Sequence, residues 1–229
     1  MRSRRRPYQT APTGGARNAV VVPMQNTPKQ QSLSYADEEI DVVSAICKSK
    51  GISDRRPRGK RDVLSALEAC EIFHFAGHGG TDPLEPLHSK LLLDDWQSEP
   101  FTVATLLETN PSANPPFLAY LSACGTGQIL HKRSVDESIH LANAFQLAGF
   151  RHVIGTLWSV DDKLCVDIAR LFYEYLMENM EDESVSRALH QAMRALRDQS
   201  VGGGLRDVVV SDELEQTQPL WVPYVHFGV

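Results

Sequence analysis

No stretch of this chain approaches the roughly 18–20 uninterrupted apolar residues that would span a bilayer. Its first residues also lack the apolar core of a secretory signal. An intracellular protein is therefore expected, cytoplasmic first, with the nucleus as the alternative. Cysteine is scarce: four residues in 229, at Cys47, Cys70, Cys124 and Cys165, with no C-x-x-C pair. That spacing favours free thiols over a disulfide framework or a zinc ribbon. Basic charge is also in deficit, 23 Lys and Arg against 29 Asp and Glu, a net charge of −6. This argues against a general nucleic-acid or membrane-surface binder. No internal repeat is present. What remains is 42% hydrophobic, enough to build the core of one domain, with or without a tail.

Two stretches share one design, an apolar run that stops at a reactive side chain beside glycine. The first runs Ile72-Phe73-His74-Phe75-Ala76-Gly77-His78-Gly79-Gly80, and the second Phe117-Leu118-Ala119-Tyr120-Leu121-Ser122-Ala123-Cys124-Gly125-Thr126-Gly127. A buried strand that ends in a Gly-rich turn presents its last side chain at the C-terminal edge of a sheet, where open α/β sheets hold ligands. One run delivers an imidazole and the other a thiol. That pair is the minimum equipment for nucleophilic acyl transfer: the thiolate attacks and the histidine manages the proton.

Residues 1–17 are basic, rich in Pro and Gly and without apolar period, and read as a disordered tail; residues 18–229 form the domain. Ala19–Val22 reads as a strand, followed by a loop with Pro23 and Pro28. Ile40, Val43, Ile46 and Cys47 keep helical spacing within Tyr35–Lys50, with Ser34 as the expected cap. Residues 51–60 read as a polar, basic loop and Arg61–Ala69 as a helix leading into the strand that ends at His78. A long irregular loop covers 79–89, a short strand Lys90–Asp94 and a helix Thr102–Glu108. Pro115-Pro116 opens the strand to Cys124. After a polar loop at 125–136, Glu137–Ala148 reads as a helix stopped by Gly149, and Arg151–Trp158 as a strand. Amphipathic helices are expected from Asp161 to about Met180 and from Ser184 to about Arg197. Residues 198–218 read as a loop and Pro219–Val229 as an aromatic strand. Strands alternating with helices imply an α/β fold with a mostly parallel sheet covered on both faces.

These segments resemble the CHAT domain, a caspase-like domain related to separase and often joined to tetratricopeptide repeats. The resemblance rests on His74-Phe75-Ala76-Gly77-His78-Gly79, on Leu121-Ser122-Ala123-Cys124-Gly125-Thr126-Gly127, on Gly155-Thr156-Leu157-Trp158-Ser159-Val160-Asp161-Asp162, and on the terminal Pro219-Leu220-Trp221-Val222-Pro223-Tyr224-Val225. It covers about Arg61 to Val229. It implies a caspase-like three-layer sandwich and a His-Cys dyad, His78 with Cys124. It also implies an oxyanion hole from the backbone N–H groups of Gly79 and Cys124, donors that each supply about 2.7–4 kcal/mol to a tetrahedral transition state. The implied activity is that of a regulated cysteine endopeptidase acting on a protein or peptide substrate, with a regulatory partner or repeat domain and no metal or organic cofactor. The alternative is a non-catalytic interaction module on the same fold. The domain is shortened at its N-terminus relative to many members, and the basic segment 51–60 stands where another strand is common.

Other residues carry competing readings. His74 lies on the same strand face as His78. A buried structural histidine explains it better than a metal ligand, although a zinc hydrolase built on His74, His78 and His88 is a third class to test. Asp161 and Asp162 serve equally as cap and first-turn acid of the following helix. By likeness to separase, they could instead be substrate-binding residues near a pocket for a basic P1 side chain, Asp162 foremost. Asp136 and Glu137 read as a helix start.

Overall fold

The structure is a computed structural model that describes residues 17–80, 82, 84–108, 115–123, 138–156, 160, 162–202 and 224–228. Strand β1 (Asn18–Pro23) shows how the sequence builds the layers. Four consecutive buried residues, Ala19–Val22, alternate between two separate cores, with Ala19 and Val21 in one and Val20 and Val22 in the other. A run apolar on both faces is stable only as an interior strand of a sheet covered on both sides. Strands β3 (Ile72–Gly77) and β7 (Leu118–Ala123) are buried throughout and behave the same way.

The main sheet has the order β2-β1-β3-β7-β8-β9, where β2 is Ser53–Arg55, β8 His152–Thr156 and β9 Tyr224–Gly228. All its neighbours run parallel except β9, which is antiparallel to β8. Helices α1 (Ala36–Ser49), α5 (Asp162–Leu176) and α6 (Asp182–Gly202) pack on one face. Helices α2 (Lys60–Leu67), α3 (Val103–Glu108) and α4 (Ser138–Leu147) pack on the other. A small antiparallel sheet of β4 (Gly79–Gly80), β5 (Lys90–Leu91) and β6 (Phe101–Thr102) flanks the C-terminal end of β3. Gly149 ends α4 with φ +105°, the left-handed stop expected there. Among the described residues, no helix is long and apolar enough to cross a membrane.

Four expectations need correction. Segment 51–60 is not all loop. Its Ser53–Arg55 pairs with β1 as the edge strand β2, although its sequence is charged. The charges themselves dock it: Asp54 accepts from Ser44 at 2.7 Å, lies 2.7 Å from Lys48 and 3.2 Å from Arg56, and Arg56 reaches Asp41 at 2.6 Å. Burial alone would raise the Asp54 carboxyl, but these donors outweigh it and hold its pKa at about 2. The loop assigned to 79–89 holds β4 and a 3-10 turn at Pro86–His88. Helix α6 runs on through residues 198–202, past its expected end. Tyr35, not Ser34, occupies the N-cap of α1, without a side-chain hydrogen bond.

The antiparallel last strand is held by a buried polar cluster at the start of β8. His152 Nδ1 and His226 Nε2 are 3.0 Å apart, and His152 Nε2 donates to Asp182 at 2.9 Å. Asp182 in turn takes a two-pronged contact from Arg151. Burial first, and the neighbouring His152 second, lower the pKa of His226 to about 4. The folded state therefore refuses a proton that the unfolded chain binds below its ordinary value of about 6.5. The resulting stability is complete above about pH 6.5 and is lost as the pH falls towards 4. Allowing for the partial exposure of His226, moving from pH 7 to 5 should cost roughly 1–2 kcal/mol. A urea melt series across that range, flattened in His226→Gln, checks it.

Candidate functional site

Strand β3 ends at Gly77, and the half-buried His78 follows it directly. Only glycine fits the last strand position. A Cβ there would lie 2.7 Å from the Met24 Cβ and 2.7 Å from the Phe75 ring. Gly77→Ala should therefore destabilise the protein by about 1–3 kcal/mol through overpacking. It should also displace His78, visible as a changed imidazole environment in NMR.

His78 is oriented by a group that no motif announced. Its Nε2 donates to the backbone carbonyl of Gln31, in the loop before α1, at 2.7 Å. A carbonyl only accepts, so the proton of the neutral ring sits on Nε2 and Nδ1 carries the lone pair. Strand β3 pairs in parallel register with β7, Ile72 with Leu118 through to Gly77 with Ala123. The last residues of the two strands are thus partners across the sheet, and the next residues in the chain are His78 and Cys124.

Beneath this edge lies a hydrogen-bonded row of buried polar side chains on the α1/α5 face. Glu39 of α1 accepts from His74 Nε2 at 2.9 Å and, through its other oxygen, from Ser122 at 3.0 Å. His74 Nδ1 faces the Tyr173 hydroxyl of α5 at 3.1 Å and stacks on Tyr120, ring centroids 4.6 Å apart. Burial raises the Tyr173 phenol well above its usual range, so it keeps its proton and donates. Both nitrogens of His74 are thereby engaged inside the core, as expected of a structural histidine. Glu39 was not legible as part of this row, because an acid in the first turn of a helix looks like an ordinary dipole partner.

A small pocket opens beside the row, with about 10 Å³ of free volume, on the order of one water. Glu39, Ser122, Gly77, Cys165 and Asp162 are among the residues that line it. Asp162 is the first residue of α5 and half-buried, so it is both a first-turn acid and a pocket residue. Gly79 sits in β4 opposite Leu91. Cys124, Asp161, Asp136 and Glu137 lie outside the described residues. Cys47, Cys70 and Cys165 are all buried. Burial, with Asp54 second, pushes the Cys47 thiol up to about 12, and burial also pushes Cys70 well up. Neither is a nucleophile at neutral pH. The zinc reading finds no support in geometry: His74 is sealed in the core, His78 is bound to Gln31, and His88 is exposed and pairs with Glu85. Among the described residues, no group of three or more His, Cys, Asp or Glu side chains is arranged to hold a metal ion.

Solved structures similar to this one include cysteine proteinases. The Arg-specific cysteine proteinase gingipain R matches with a TM-score of 0.50 at 13% identity, over 80% of this chain and 42% of its own. The complex of the pro- and mature domains of the same enzyme from Porphyromonas gingivalis gives 0.51 at 12%, over 80% and 43%. A secreted C11 cysteine protease from Bacteroides thetaiotaomicron gives 0.48 at 11%, over 87% and 63%. This chain thus spans less than half the length of the gingipain chains. No curated protein matches it significantly. At this identity the likeness establishes the fold, the caspase-like α/β sandwich of this group of cysteine peptidases. The CHAT domain family model matches residues 2–228. With that match over nearly its whole length, the chain belongs to the CHAT domain family.

Proposed function

We propose that this CHAT domain is a cysteine endopeptidase in which Cys124 is the nucleophile and His78 the general acid and base. The observation that carries the reading is the register of β3 and β7. Pairing Gly77 with Ala123 makes the exits of the two strands neighbours, and the imidazole and the thiol are the next residues on each. In the reaction, His78 Nδ1 takes the thiol proton and the Cys124 sulfur attacks the scissile carbonyl carbon. The carbon–nitrogen bond then breaks, and the imidazolium returns its proton to the departing amine. Water, deprotonated by the same nitrogen, attacks the thioester; the acid leaves and the thiol is restored. The Gln31 carbonyl holds the ring in the tautomer this sequence needs.

The N–H groups of Gly79 and Cys124 receive the oxyanion. In support, the Leu92 N–H donates to the His78 carbonyl at 2.9 Å. The ladder bond therefore falls on His78, and Gly79 and Leu91 form the non-hydrogen-bonded pair, which turns the Gly79 N–H away from β5. Asp162, with Asp161 beside it in sequence, binds a basic P1 side chain. Its half-buried carboxyl at the start of α5, near Gly77 and Ser122, supports that role, and the Arg-specific neighbour makes arginine the first residue to test. Substrate is a protein or peptide, no cofactor takes part, and activity is regulated by a partner or an attached repeat domain. An intracellular compartment suits the reading, since there the thiol stays reduced.

A peptide acyloxymethyl ketone with arginine at P1 tests the proposal. Covalent labelling of the wild type at Cys124, mapped by mass spectrometry and absent in Cys124→Ala, is expected. A P1 aspartate probe should label more slowly. A wild type that reacts with no peptide electrophile would instead favour the non-catalytic interaction module.

A further inference from the structure

One buried carboxylate ties together the two strands that precede the proposed dyad in the chain. Glu39 is 2% exposed and lies on α1, yet its two oxygens reach separate strands: Oε1 takes the His74 proton on β3 and Oε2 the Ser122 proton on β7. In sequence, His74 precedes His78 by four residues and Ser122 precedes Cys124 by two. A carboxylate only accepts, so His74 Nε2 and Ser122 both donate to it; His74 Nδ1 then accepts from Tyr173. Every one of these side chains is almost completely buried, His74 and Tyr173 fully and Ser122 to 3% exposure. No lysine or arginine contacts Glu39 among the described hydrogen bonds, so the two charge-assisted bonds are what make its burial tolerable.

We propose that Glu39 is a positioning residue for the catalytic pair, clamping β3 to β7 through His74 and Ser122 so that the two strand exits keep their spacing. The same helix is preceded by the loop whose Gln31 carbonyl holds His78. Glu39 and Gln31 therefore make the α1 region the common reference for both reacting groups. A displacement of about 1 Å between reacting groups can cost on the order of 10²-fold in rate, which is why a buried bridge at this point controls turnover as well as stability. Glutamine at this position offers one acceptor and one donor, so one of the two arms must invert or break.

The inference rests on the peptidase reading, and its test separates the two. Inactivation of the wild type, Glu39→Gln and Ser122→Ala by the P1 arginine acyloxymethyl ketone is followed at several probe concentrations, well below each protein's melting temperature. The maximal inactivation rate is read apart from the half-saturating concentration. Glu39→Gln should lower the maximal rate about 10- to 100-fold with the half-saturating concentration within about twofold, as expected for misplaced groups and an intact pocket. Ser122→Ala removes one arm only; it guards against a Glu39 variant that fails to fold, and should lower the rate about three- to tenfold while melting near the wild type. A merely structural Glu39 would leave the rate of the folded fraction unchanged. Maximal rates within twofold of wild type in both variants would overturn the positioning role and leave the peptidase standing. A wild type that does not label at Cys124 would overturn both.

Discussion

Replacing His78 with alanine is expected to slow covalent labelling at Cys124 by about 10²–10⁴-fold, the usual worth of a positioned general acid–base group. Three features make the expectation specific to this histidine. It follows the last residue of β3, whose register partner Ala123 precedes Cys124. Its Nε2–H is committed to the Gln31 carbonyl at 2.7 Å, which leaves Nδ1 as the working nitrogen. The nearest rival, His74, has both nitrogens occupied by Glu39 and Tyr173 in the core. His74→Ala should lower stability and, by removing one arm of the Glu39 bridge, slow the rate by no more than about tenfold, whereas His78→Ala should melt close to the wild type and lose far more rate. Added imidazole should restore part of the His78→Ala rate and none of the rate of Cys124→Ala. An undiminished rate in folded His78→Ala would remove this residue from the chemistry.

Phe73→Ala should destabilise the domain by about 3–5 kcal/mol, the range for deleting a fully buried aromatic ring. Phe73 has no exposed surface and stacks on Phe145 at 5.3 Å and 19°, with Phe150 edge-on at 6.3 Å. Those rings belong to α4 and the turn after it, so Phe73 joins the centre of the sheet to the α2/α3/α4 layer. For a chain of this size, that loss corresponds to a fall in melting temperature of about 6–20 °C. It is also a large share of the 5–15 kcal/mol by which domains are usually stable. Leu147→Ala is the matched control. Leu147 is 76% exposed, and its loss should stay within about 0.5 kcal/mol. Calorimetry on both variants decides it; a Phe73→Ala protein that melts within 4 °C of wild type would show that this layer carries little of the stability.

Most elements were legible because their signal is local. Val20–Val22, Ile72–Ala76 and Leu118–Leu121 are apolar on both faces, a pattern that only an interior strand satisfies. Ala169, Phe172 and Leu176 repeat at the helical period and lie in the core on the face of α5 that meets the sheet. The strand β2 was not legible. Ser53-Asp54-Arg55 carries no apolar signal, and its pairing with β1 depends on Lys48, Ser44, Asp41 and Arg56, none of which announces a strand. The two-residue strands β4 and β6 were illegible for a similar reason, since each is defined by its partner and is too short to hold a period, whereas β5 falls within the strand expected at Lys90–Asp94. Glu39 escaped because its neighbours in sequence, Asp37 and Glu38, are also acidic. Only its burial against His74 and Ser122 sets it apart.

By itself the sequence determined the order and type of most core elements, with His78 and Cys124 the residues that directly follow the apolar runs of β3 and β7 in the chain. Those are consequences of residue chemistry and of periods two and 3.6, which act over a few neighbours. Tertiary structure alone decided that β3 and β7 lie side by side in a register pairing Gly77 with Ala123, that β9 runs antiparallel, and that Gln31 and Glu39 come to the site from α1 and the loop before it. Partners separated by 35 to 83 positions are chosen by which faces bury together, and no local pattern encodes that choice.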